Sequence, residues 1–204
     1  MIRRRGTLFV VSAPSGAGKT TLCREVRLRL PDLAYSVSVT TRAPRPGEVH
    51  GSDFRFVSEP EFRTMLDRGE LAEWATVHNN LYGTPAAPLE AALRDGRDVL
   101  LDIDTHGAAQ LRTRYPEAVL IFIVAPSMAE LEQRLRERGS DAGSAIATRL
   151  ARARLEVTLW KRYDYLIVNR DVKEAMEQLS SIIQAERSRV TRLALTFPDL
   201  EVPN

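Results

Sequence analysis

The 204-residue sequence predicts an α/β fold in which a parallel sheet is flanked by helices, and three features of the chain carry that prediction. Apolar runs at residues 8–11, 99–103, 119–124 and 165–168 are short and rich in β-branched side chains, as strands buried on both faces should be. Helical stretches follow them: residues 19–30, stopped by Pro31; 107–115, stopped by Pro116; 127–138, stopped by Gly139; and 172 to about 192. No internal repeat or low-complexity tract interrupts this alternation.

Two segments depart from it. Residues 35–39 alternate apolar with polar, Arg42-Ala-Pro-Arg-Pro-Gly47 forbids regular structure, and residues 54–56 and 71–77 read as further strands of a small antiparallel lobe. Residues 134–156 read as two arginine-rich helices around the flexible Gly139-Ser-Asp-Ala-Gly143, a mobile flap. The expected organisation is one domain with its core at about 6–34, 86–131 and 160–192. The lobe then covers about 35–85 and the helical lid about 132–159, and the tail at 193–204 stays unassigned.

Composition narrows the possible functions. No apolar run approaches the ~20 residues that cross a bilayer, and the apolar stretch after Met-Ile-Arg-Arg-Arg-Gly is too short for a signal peptide. A cytoplasmic protein with no membrane partner is expected. Cys23 is the single cysteine, which excludes an intrachain disulfide and suits a reducing compartment, where helix packing is its role. The net charge is +2, with lysine only at Lys19, Lys161 and Lys173. Arg3-Arg4-Arg5 and the basic last helix suggest nucleic acid, but the near-zero net charge and scattered aromatics argue against it. His50, His78 and His106 lie far apart without a cysteine among them, so no zinc site is expected.

Ser12-Ala-Pro-Ser-Gly-Ala-Gly-Lys-Thr20 follows a strand and opens a helix, the context in which such a loop binds phosphate. Backbone N–H groups from Ser15, Gly16, Ala17, Gly18, Lys19 and Thr20 can converge on an anion, and the helix N-terminus adds positive potential. Lys19 reaches the β- and γ-phosphates of a nucleoside triphosphate, and Thr20 offers a hydroxyl to Mg2+. Ala13 stands where the usual pattern begins with glycine. The fold class is therefore refined to a sheet of the phosphate-loop NTPase type.

Further along, several separate stretches resemble the guanylate kinase family over nearly all of residues 6–190. They are residues 12–21, Ser38-Val-Thr-Thr-Arg-Ala-Pro-Arg-Pro-Gly-Glu48, Glu73-Trp-Ala75, Leu81-Tyr-Gly-Thr84, Leu101-Asp-Ile-Asp104 and Arg134-Leu-Arg-Glu-Arg-Gly139. The resemblance implies transfer of the γ-phosphoryl group of ATP to GMP, with dGMP a poorer acceptor and Mg2+ as cofactor. It also implies a small mixed α/β lobe that binds the nucleoside monophosphate, with Arg42, Arg45 and Tyr82 on the GMP phosphate and Ser38, Glu73, Thr84, Asp102 and Asp104 around its base and reacting edge. On the ATP side it implies residues Ala13, Pro14 and Thr21 with the rest of the loop, the lid arginines Arg134, Arg138 and Arg149 on the triphosphate, and Asn169 beside the adenine.

The chemistry of these residue types agrees with those roles. Two arginines three apart on a Pro-constrained loop can both point at one dianion. A carboxylate such as Glu73 can accept from guanine N1–H and N2–H2 together, whereas adenine presents an acceptor at N1. Asp102 and Asp104 close a strand at its carboxyl end and share a face, so either can reach the acceptor or a water of the Mg2+ shell. A capping role for the helix near Gly107 is the alternative for Asp104. Lid arginines supply the positive charge that phosphoryl transfer needs, and closure excludes water. Arg136 reads instead as an exposed ion-paired residue.

The sequence departs from the family pattern in three places. Phe54 stands where a tyrosine hydroxyl commonly helps bind the acceptor phosphate; a hydrogen bond to a charged group contributes about 1.5–3 kcal/mol, so weaker GMP binding is expected. Thr105-His106 replaces larger or amide side chains, and Arg170 follows Asn169 where an acid is frequent. Two other readings compete. A ribose 1,5-bisphosphate kinase has no use for Glu73 and Thr84, and a non-catalytic guanylate-kinase-like binding module would not keep Lys19, Thr20, Arg134 and Arg138.

Overall fold

In the computed structural model, which describes residues 2–77, 79–137 and 143–195, the chain opens with β1 (Ile2–Arg4), β2 (Leu8–Ser12) and α1 (Lys19–Arg29). Three short strands follow, β3 (Ala34–Tyr35), β4 (Val39–Thr40) and β5 (Arg55–Phe56), then α2 (Glu59–Asp67), β6 (Leu71–Val77), β7 (Asn80–Pro85) and α3 (Ala86–Arg94). The remainder comprises β8 (Val99–Asp102), α4 (Thr105–Arg114), β9 (Val119–Val124), α5 (Met128–Glu137), α6 (Gly143–Val157), β10 (Tyr165–Val168), α7 (Val172–Arg187) and β11 (Leu193–Leu195).

Five strands form one parallel sheet in the order β10-β9-β2-β8-β3. All five residues of β2 are buried, because alternate side chains serve opposite layers. Phe9 and Val11 pack with Leu22, Val26, Leu179 and Ile183 of α1 and α7, whereas Leu8 and Val10 pack with Leu89 and Leu93 of α3 and Leu111 of α4. Cys23 is buried in the first of these layers, and that burial pushes its thiol pKa upward, as befits a packing residue. The carboxyl ends of β2, β8, β9 and β10 all lie at one edge of the sheet, where open α/β sheets bind ligands.

A second, four-stranded sheet has the order β5-β4-β7-β6, with Val39, Phe62, Met65 and Leu71 as its own small core. It is mixed, since β4 and β5 run parallel while β4–β7 and β6–β7 are antiparallel, so the all-antiparallel expectation is corrected. Residue 35 belongs to the main sheet, pairing with Leu100. Helix α2 gives the lobe its expected α/β character at a position the sequence reading had not assigned; it starts at a reciprocal capping box in which Ser58 Oγ accepts from Glu61 N and Glu61 holds Ser58 N at 2.7 Å. Helix α3 was not expected.

The helix expected to reach about residue 192 stops at Arg187, whose Nε donates to buried Asp98 at 2.7 Å. After a short turn, β11 pairs antiparallel with β1, giving residues 193–195 a place. Asp98 also accepts from Arg4 through both oxygens and from Thr7 N, and so ties β1 to the start of β8. Residues 139–142 of the expected flap loop, His78 and the tail from 196 onward lie outside the described residues.

Candidate functional site

The loop between β2 and α1 ends on Gly18, which has φ +94° and caps α1 without any side-chain hydrogen bond. Only glycine fits there: an added Cβ would stand 2.3 Å from Asn169 Nδ2, which donates to Ala17 O at 2.8 Å. Asn169 thus buttresses the loop from the end of β10. Ala13 needs no glycine, because among the described residues Asn79 is the sole non-glycine with positive φ, and the Ala13 methyl packs against the core. The loop leads into the N-terminus of α1, where free backbone amides and the helix dipole favour an anion, and Thr20 is exposed in the first turn.

Lys19 folds back to the end of β8, donating to Ile103 O at 2.8 Å and forming an ion pair with Asp102. Two residues on, Asp104 caps α4, accepting from Gly107 N at 2.8 Å, so its capping role is real. It also lines the cleft over the loop together with Lys19, Thr20, Arg149, Arg152 and Glu156. A wider cavity beside Arg5, Leu93 and Tyr115 opens at the opposite end of β2 and β9, away from these groups.

Helices α5 and α6 pack together through Leu131, Leu135, Ile146 and Ala153. Arg134 donates to Glu130 at 2.7 Å and to Asn169 O at 3.0 Å, so it joins α5 to the end of β10 beside the loop. Arg136 pairs with Glu132 at 2.6 Å on the exposed side, as expected. Arg138 lies outside the described residues. Arg152 escaped sequence reasoning; it lies 3.7 Å from Asp104 Oδ2 and 2.8 Å from Glu156 Oε1, one turn beyond Arg149. Its spacing from Arg149 was the available signal.

The second sheet gathers Glu73, Tyr82 and Thr84 on one face, with Ser38 at its edge. Register pairs Glu73 with Thr84, Ala75 with Tyr82, and Tyr82 with Thr40, and Ser38 lies two residues before Thr40. Glu73 is buried, and Thr84 Oγ1 donates to its Oε1 at 2.6 Å. Desolvation raises its pKa to about 7, reinforced by the charge of Asp104 and opposed by the Thr84 bond. At the far end, Arg42 donates to Tyr82 Oη at 3.1 Å and to Glu48 at 2.8 Å, with its guanidinium 5.5 Å and 5.8 Å from the Phe54 and Phe56 ring centroids. Glu48 also accepts from Arg45 N at 2.7 Å, while the Arg45 side chain is exposed. The loop is therefore organised around Glu48, to which sequence reasoning gave no role.

Comparison with known proteins identifies the family. Residues 5–186 match the family model described as guanylate kinase. The guanylate kinase of Geobacter metallireducens is 50% identical over 198 residues, covering 97% of this chain and 98% of that protein. That of Syntrophotalea carbinolica is 52% identical over 192 residues, covering 94% and 91%. The crystal structure of guanylate kinase from Anaplasma phagocytophilum superposes with a TM-score of 0.79 at 36% identity, covering 95% of this chain and 92% of that one.

Proposed function

The chain belongs to the guanylate kinase family and is an ATP-dependent nucleoside-monophosphate kinase that converts ATP and GMP to ADP and GDP; we propose the site residues that do this and how they divide the work. The observation that carries the assignment of the acceptor is the buried Glu73, hydrogen-bonded to Thr84 on a sheet that also presents Tyr82 and Arg42. A carboxylate kept from water is matched to the two adjacent N–H donors of guanine, and no adenine edge offers that pair. Ser38 and Thr84 flank the base, Arg42, Arg45 and Tyr82 take its phosphate, and Asp102 and Asp104 stand at the reacting edge.

On the donor side, residues 13–21 cradle the triphosphate, with Asn169 beside the adenine. Arg134, Arg138 and Arg149 neutralise charge on the transferring group, and Arg152 is a further candidate from the same helix. Lys19 exchanges its contacts with Ile103 and Asp102 for phosphate oxygens. An oxygen of the GMP phosphate attacks the γ-phosphorus and ADP leaves. No general base is needed, because the acceptor phosphate is already ionised, so catalysis rests on positioning and charge. Residues 36–85 act as the acceptor lobe and 132–159 as the lid on the remaining core.

The residues present fit Mg2+: an exposed Thr20 hydroxyl and the Asp102 carboxylate lie at the loop, and Mg2+ takes few protein ligands beside phosphates and water. Thr20 would hold it directly and Asp102 through water. When bound, the ion neutralises phosphate charge. We place the reaction in the cytoplasm, with dGMP a poorer acceptor. ADP formation from ATP with GMP, dGMP, AMP, UMP or ribose 1,5-bisphosphate tests the assignment: GMP should give the highest kcat/KM, and equal rates with AMP would refute the role of Glu73.

A further inference from the structure

The Glu73 carboxylate rests on helix α4, and the surface it rests on is the bare backbone of Gly107. A Cβ built on Gly107 would stand 2.4 Å from Glu73 Oε2 and 3.1 Å from its Cδ. The opposite oxygen, Oε1, is held by Thr84 at 2.6 Å, so the carboxylate is wedged between β7 and α4. One turn along, Gln110 grips the next residue of the same strand: its Oε1 accepts from Trp74 N at 3.1 Å and its Nε2 donates to Trp74 O at 2.6 Å. Arg114, four residues further, donates to Leu71 O at 2.8 Å. Positions 107, 110 and 114 share one helical face, so α4 holds β6 at three successive points.

The N-terminal end of the same helix is fixed to the phosphate loop. Asp104 caps the Gly107 amide, and Ile103 O accepts from Lys19 Nζ at 2.8 Å. Glycine is a poor helix former, and Gly107 is the third residue of α4, so its presence calls for a reason. The close approach of Glu73 supplies one.

We propose that Gly107 and Gln110 are positioning residues for acceptor selection: Gly107 provides the seat for the Glu73 carboxylate, and Gln110 fixes the strand that carries it. The distance between the base-reading carboxylate and the phosphate loop is then set by one helix instead of by the lobe alone. The proposal rests on Glu73 being the guanine-binding group.

Steady-state kinetics and thermal unfolding of the full chain test it. Gly107→Ala should raise KM for GMP about tenfold or more, the scale of a displaced charged hydrogen bond, with KM for ATP within about twofold. Its unfolding midpoint should change little, because alanine favours the helix while the Glu73 carboxylate and Ile103 Cδ1, 3.3 Å from the added Cβ, have to shift. Added to Glu73→Ala, the same change should cost nothing more, since it acts through that side chain. Gln110→Ala should also raise KM for GMP more than KM for ATP. A Gly107→Ala protein with KM for GMP within about twofold of the parent, while Glu73→Gln raises it at least tenfold, overturns the proposal but spares Glu73. If Glu73→Gln leaves KM for GMP and the GMP preference intact, the assignment of Glu73 itself falls. Should Gly107→Ala not fold, equal rises in both KM values for Gln110→Ala overturn the proposal.

Discussion

Replacing Glu73 with glutamine should stabilise the free protein in alkaline solution while damaging its acceptor site. Burial raises the Glu73 pKa from an ordinary 4.5 to about 7, with Asp104 adding to the rise and Thr84 opposing it. That rise corresponds to about 3 kcal/mol between the two protonation states. The unfolded chain releases this proton near 4.5 and the folded chain near 7, so between those values the folded state binds the extra proton. The contribution to stability is present in full below 4.5, declines as pH rises to 7, and is absent above it. Glutamine carries no such proton, keeps an oxygen for Thr84 Oγ1 and fills the same space. Urea unfolding at pH 5 and at pH 8.5, followed through Trp74 beside the substituted residue, measures the difference. The glutamine variant should gain about 2.5 kcal/mol relative to the parent between the two conditions. In the parent, KM for GMP should fall as pH rises toward 7 and the carboxylate ionises; in the variant it should be high and flat. An unchanged stability gap between pH 5 and pH 8.5 would refute the argument that this carboxylate is held protonated by burial.

Other perturbations address the remaining parts. Lys19→Ala should lower kcat by a factor on the order of 10²–10³ through loss of charge on the transferring phosphate, with GMP affinity by calorimetry nearly unchanged. Phe54→Tyr should lower KM for GMP by roughly tenfold, because a hydroxyl is added to a ring that already lies 6.0 Å from Tyr82 and 5.5 Å from the Arg42 guanidinium; no change would show that the missing hydroxyl is immaterial. Ser58→Ala removes the cap of α2 and should cost about 1 kcal/mol in urea unfolding without altering either KM.

The strands of the main sheet were legible because burial on both faces compels continuous apolar runs, and residues 119–124 and 165–168 match β9 and β10 end for end. Helix starts were legible where a stop or cap is local, as at Lys19. The Ser58-Glu-Pro-Glu61 box that opens α2 was an equally local signal, but the nine-residue helix behind it is short and flanked on both sides by strand-like runs. The pairing of β1 with β11 could not be read: its two partners lie at opposite ends of the chain, and neither carries a local signal for the other. Helix α7 overran in the sequence reading because nothing near Arg187 breaks a helix; the chain turns there through contacts with Asp98. In the site, the loop and Glu73 were visible as residue types in a fixed spacing. Glu48, Gly107 and Gln110 were not, because each works by touching another residue's backbone or side chain, which only the packed chain reveals.

The most direct measurement follows the phosphorus itself. Purified chain supplied with magnesium, GMP and ATP labelled at the γ-phosphate should place the label in the β-position of GDP, in amounts equal to the ADP formed. Label released as inorganic phosphate without GDP, or no turnover at all, would contradict transfer between two nucleotides held across this cleft.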